Sequence, residues 1–118
     1  MAADNGILIG WNRIVPGKEP LGVALFGEAL EFWRQQQRAG AIDSFETVFL
    51  GPHGGDLNGF ILVRGEAEKL NQVLVSDAYL ALETKANYLL QGHGVIKASF
   101  GEEIARRMGF YQRAIAGS

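Results

Sequence analysis

Three cations on strand-patterned segments, Arg13, Arg64 and Lys97, are the residues of this chain best suited by type to hold an anion. Gathered around a semi-enclosed, aromatic-lined space, they would stabilise a carboxylate or an enolate, because charge acts more strongly there than in water. The plainer reading leaves them near strand ends, paired with Glu46, Asp43 or solvent. His53 stands in a turn-rich stretch, flanked by Pro52 and Gly54, with Asp56 close enough in sequence to orient it. An imidazole with a pKa of about 6.5 could serve as general base if that loop folds over a cavity mouth. The same residues also read as exposed loop. His93, between Gly92 and Gly94, reads as part of a turn or cap.

Other chemistries find no pattern here. The two histidines are far apart in sequence and lack a flanking Glu or Cys pattern, so no metal set is expected. Cysteine is absent, which excludes disulfides, thiolate nucleophiles and thiolate zinc sites. The run Gly51 to Gly59 lacks the residue order of a phosphate loop and leads from strand to strand, with no helix N-terminus to receive a phosphate. No Ser-His-Asp arrangement can be read from spacing, and no cofactor is expected. With 11 Lys and Arg against 13 Asp and Glu, the net charge of −2 argues against nucleic acid as the main partner. No apolar stretch approaches the roughly 20 residues that span a bilayer, and no secretory leader pattern follows Met1. A cytoplasmic location is the expectation.

These residues must be positioned by elements that the hydropathy pattern places. The 118 residues suit one domain, 1–118, and the 16 glycines sit mostly at joints. Ile7 to Val15 alternate as a first strand, with Ile7, Ile9, Trp11, Arg13 and Val15 on one side, closed by Pro16-Gly17. From Pro20 to Ala39 a strongly amphipathic helix presents Phe32, Leu25, Ala29, Trp33 and Phe26 on one half of its wheel, with Gly40 as its stop. Ile42 to Leu50 and Phe60 to Arg64 read as strands of an antiparallel hairpin. Helical periodicity returns at Glu66. Ser76-Asp77 offers a cap for a second start there, and Gly92 a stop. Val95 to Phe100 is a fourth strand, and Ile104, Met108, Tyr111 and Ile115 form the stripe of a terminal helix.

The order β-α-β-β-α-β plus a helix is the split-βαβ, ferredoxin-like α+β pattern. Right-handed crossovers put both main helices on one face of a four-stranded antiparallel sheet. Yet the strands carry large apolar residues at both parities, where an exposed face would read as polar. A second copy of the sheet is the best candidate to cover the face the helices leave bare, so a homodimer is expected.

On this element order, and on Ser76-Asp77-Ala78-Tyr79-Leu80-Ala81-Leu82 leading through Gly92-His93-Gly94 into Val95-Ile96-Lys97-Ala98, the chain resembles the dimeric α/β-barrel superfamily. In that superfamily two ferredoxin-like subunits pack sheet against sheet; members include antibiotic-biosynthesis-type monooxygenases, haem-degrading enzymes and muconolactone isomerases. Haem-degrading members bind iron through a helical histidine, and Glu66 to Leu90 contains none. Cofactor-free monooxygenases of the group use Asn and Trp around a pocket, parts that Asn12 and Trp11 or Trp33 could play. The resemblance implies a small, mostly apolar or anionic metabolite in the barrel cavity, with cofactor-independent turnover as an extension. The residues expected to serve it are His53 and Arg13 for catalysis, with Trp11, Asn12, Arg64 and Lys97 for binding. The alternative is a non-catalytic structural or interaction protein whose barrel is filled by its own side chains.

Overall fold

The computed structural model describes residues 4–117. In chain order these form β1 (Asn5–Trp11), β2 (Arg13–Ile14), α1 (Glu19–Arg38), β3 (Ser44–Phe49), β4 (Gly59–Arg64), α2 (Ala67–Leu74), α3 (Asp77–Leu89), β5 (Leu90–Gln91), β6 (Gly94–Ser99) and α4 (Gly101–Ala116). The alternating strands and the Pro20 helix start lie where hydropathy places them. Ser76 caps α3 as expected, its Oγ accepting a hydrogen bond from the Tyr79 backbone N–H at 3.3 Å.

Two local differences matter for the site. The first strand stops at Trp11 instead of running to Val15. At Asn12 the chain leaves the main sheet, and Arg13–Ile14 pairs instead with Gln91 and Leu90 in a separate two-stranded ribbon. α3 likewise ends at Leu89, before Gly92, because Leu90 and Gln91 are taken up by that ribbon. Gly92 then makes the turn into β6 with φ of 66°, a left-handed conformation that suits glycine.

The main sheet has the order β3-β4-β1-β6, with every neighbouring pair antiparallel. Cross-strand partners share a face. Ile7 is therefore on one face with Val63, Phe45 and Lys97, and Ile9 with Ile61, Thr47 and Val95. On this face Trp33 of α1, Leu70 and Val73 of α2 and Tyr79 of α3 join Ile7, Ile9, Ile61 and Val63 in one buried core. The other face carries Leu8 between Leu62 and Ile96, and Gly10 between Phe60 and Gly94. None of these residues belongs to the core, and Ile96 is exposed.

Trp11 thus lies on the helix-covered face, on the same side of the sheet as Ile7 and Ile9. Both parities of β1 are apolar, and alternation alone could not choose between them. The terminal helix does not cover the open face with its stripe. No residue of α4 is buried, and Ile104, Met108 and Tyr111 are exposed.

Candidate functional site

A cavity of about 370 Å³ lies between α1, α3 and the helix-covered face of the sheet. Such a volume falls within the range of small-molecule sites. Its sheet wall is made by Ile9, Ile61 and Trp11, and α1 contributes Leu25, Phe26 and Trp33. From α3, Tyr79, Leu82, Glu83 and Ala86 reach it, a spacing of i, i+3, i+4 and i+7 that places all four on one helical face. The cavity opens where Val23 and Phe49, both exposed, complete its lining.

Trp11, Phe26 and Phe49 form an aromatic triangle at this opening. Trp11 meets Phe26 edge-on at 6.1 Å and Phe49 at 6.4 Å, and Phe26 and Phe49 are 5.4 Å apart. Such pairs contribute beyond their buried area and hold the rings in fixed relation. The indole lies over β4, and a methyl group added at Gly59 would come within 2.7 Å of Trp11 Cζ2. Lys85 Nζ of α3 sits 3.0 Å from Glu28 Oε2 of α1, linking the two helices that flank the cavity.

Among its lining residues the charged or titratable side chains are Glu83, His93 and Tyr79. Tyr79 Oη donates to Glu83 Oε1 at 3.2 Å. Burial, with the neighbouring carboxylate second, pushes the Tyr79 phenol well above its usual range, so it stays protonated. His93 Nδ1 lies 2.7 Å from Asn87 Oδ1. An amide oxygen only accepts, so Nδ1 carries the proton and Nε2 keeps its lone pair. Burial lowers the His93 pKa, opposed by the nearby Glu83 charge. The cavity is therefore apolar along its length with hydrogen-bond acceptors at one place.

The residues singled out by sequence are dispersed. Trp11 lines the cavity as a wall. Arg13 does not: once β2 leaves the sheet, its Nε donates to Gln91 Oε1 at 2.6 Å in an exposed pair. Arg64 is on the open face, stacked on Phe100. Lys97 is on the opposite face, beside a smaller recess of about 160 Å³ that Arg107 also borders. The anion-holding triad is thus not assembled, because Arg64 and Lys97 occupy opposite faces and Arg13 leaves the sheet. Asn12 ties the hairpin loop to β1, accepting from Asn58 Nδ2 at 2.7 Å. His53 is held within its own loop, with Nε2 2.8 Å from the Leu57 carbonyl and Nδ1 accepting from the Gly55 N–H. It is not part of the cavity lining.

Sequence reading missed Glu83 as a site residue and assigned His93 to a turn. Glu83 sits in an ordinary helical charge pattern. The signal within reach was its i, i+4 spacing from Tyr79 on the apolar side of α3. Among the described residues no group of three or more His, Asp or Glu side chains could hold a metal ion, and no helix is long and apolar enough to cross a membrane.

A four-stranded antiparallel sheet with two crossover segments packed on one face defines a ferredoxin-like α+β protein. The chain is similar to a dimeric protein of unknown function with a ferredoxin-like fold from Bacteroides fragilis, with a TM-score of 0.59 and 15% identity over 81% of this chain and 95% of that one. No family model matches the sequence, and no curated protein does.

Proposed function

We propose that the protein is a homodimer whose subunits each bind a small, mostly apolar molecule in the cavity between α1, α3 and the sheet. The observation that carries the ligand reading is the cavity itself: about 370 Å³ walled by aliphatic and aromatic side chains and open beside Phe49. Its size counts against the alternative of a structural protein with a filled interior, since well-packed cores leave few voids larger than a water molecule. The dimer reading is supported by the open sheet face of Leu8, Phe60, Leu62 and Ile96, and by the dimeric state of the similar Bacteroides protein. Turnover without a cofactor, of the monooxygenase or isomerase kind, is the extension that the superfamily resemblance suggests.

Naphthalene is a suitable probe of the ligand reading. The chain has two tryptophans, Trp11 and Trp33, and both line the cavity. Saturating binding should shift both indole N–H resonances, and Ala29→Phe, which fills the space from α1, should abolish the shift. Unmoved indole signals at saturating naphthalene would remove the ligand reading.

A further inference from the structure

The polar groups of the cavity say what kind of molecule it accepts. Tyr79 spends its hydroxyl proton on Glu83 Oε1, and His93 spends its Nδ1 proton on Asn87 Oδ1. What they leave for a ligand is acceptor capacity: the remaining lone pairs of the Glu83 carboxylate and the Nε2 lone pair of His93. Among the described residues no lysine or arginine belongs to the lining. The ion pair that links the two flanking helices, Lys85 with Glu28, is exposed and already matched.

We propose that the cavity selects molecules with an apolar, ring-sized body and a hydrogen-bond donor, a hydroxyl or an amine, which Glu83 and His93 receive, and that it rejects carboxylates. This rests on the cavity being a ligand site. A donor entering beside Glu83 gains a charge-assisted hydrogen bond in surroundings of low dielectric. A carboxylate there meets a like charge with no cation to offset it. An uncharged hydrocarbon gains only burial and leaves the acceptors without a ligand partner. The recognition is therefore opposite in sign to that of an anion pocket built from arginine and lysine.

The test compares naphthalene, 2-naphthol and 2-naphthoate on the full chain, read by the Trp11 and Trp33 indole N–H resonances. We expect 2-naphthol to bind about tenfold tighter than naphthalene, the size of one net hydrogen bond to a charged acceptor. The 2-naphthoate ion should bind at least tenfold more weakly than 2-naphthol. In Glu83→Gln the gap between naphthol and naphthoate should close, with naphthalene-induced shifts of both indoles checking that the cavity is still present. Naphthalene binding with no naphthol preference, or naphthoate binding as tightly as naphthol, would overturn the donor selectivity and leave the cavity reading standing. Failure of all three probes to move either indole would remove both.

Discussion

The guanidinium carbon of Arg64 lies 3.8 Å from the centre of the Phe100 ring, so the last residue of β4 stacks on the residue that caps α4. Phe100 reaches back under the sheet far enough that a methyl at Gly6 would come within 2.7 Å of its Cε2. Arg64 therefore anchors the point from which α4 departs, on the face away from the cavity.

Arg64→Ala should cost about 1 kcal/mol of stability, the range of a partly exposed cation–π contact. Urea unfolding measures this. Naphthalene binding should be unchanged, and a loss of binding would mean that Arg64 serves the ligand site after all.

Trp33 is 1% exposed and packs edge-on against Phe32 at 5.0 Å, with Tyr79 6.0 Å away. Trp33→Ala should destabilise by about 3–5 kcal/mol, as large-to-small changes at buried aromatics do. A thermal melt close to that of the parent chain would show that this part of the core is loosely packed.

Leu8→Asp places a charge in the middle of the open sheet face, between Leu62 and Ile96. Light scattering should return a mass near 12.8 kDa for this variant and about twice that for the parent. A parent that is itself monomeric would remove the sheet-to-sheet dimer.

Ile104, Met108, Tyr111 and Ile115 form an apolar stripe along the terminal helix, yet no residue of α4 is buried. Met108→Asp should therefore change stability by no more than about 0.5 kcal/mol, as exposed substitutions do. The variant is best measured at concentrations where the chain is monomeric, by urea unfolding.

His93 gives stability a dependence on pH. Burial holds its native pKa below the ordinary value of about 6.5, so as pH falls the unfolded chain takes up this proton first. Where the unfolded state binds more protons, stability rises with pH. The His93 contribution is thus fully present at neutral pH and diminishes as pH drops below about 6.5 towards the lowered native value. Unfolding curves collected between about pH 7 and 5 should show this slope reduced in His93→Gln. An unchanged slope would mean that His93 is as solvated in the folded chain as in the unfolded one.

Much of the fold was legible because local signals agreed. Ile7, Ile9 and Trp11 alternate, Phe26, Ala29 and Trp33 recur on one side of a helix, and Ser76 caps where its spacing to Tyr79 says it should. The site was less legible for physical reasons. Parity assigns residues to faces but not faces to neighbours, and β1 is apolar on both, so alternation alone left open whether Trp11 meets the helices or the bare side. Parity also fails where a strand changes partners, as it does at Asn12, which is why Arg13 was grouped with Trp11. Glu83 and His93 acquire their significance only when α3 lies across the sheet and the Gly92 turn folds His93 back toward Asn87.

Trp11 and Gly59 face each other across the β1–β4 ladder, and the indole occupies the space that any side chain at 59 would need. The two positions are therefore not free to drift independently. A chain that gains a side chain at 59 must first give up the indole at 11, and with it one wall of the cavity. Among distant relatives that share this fold, a bulky residue at 59 beside a small one at 11 would mark a lineage whose cavity has a different shape and a different occupant.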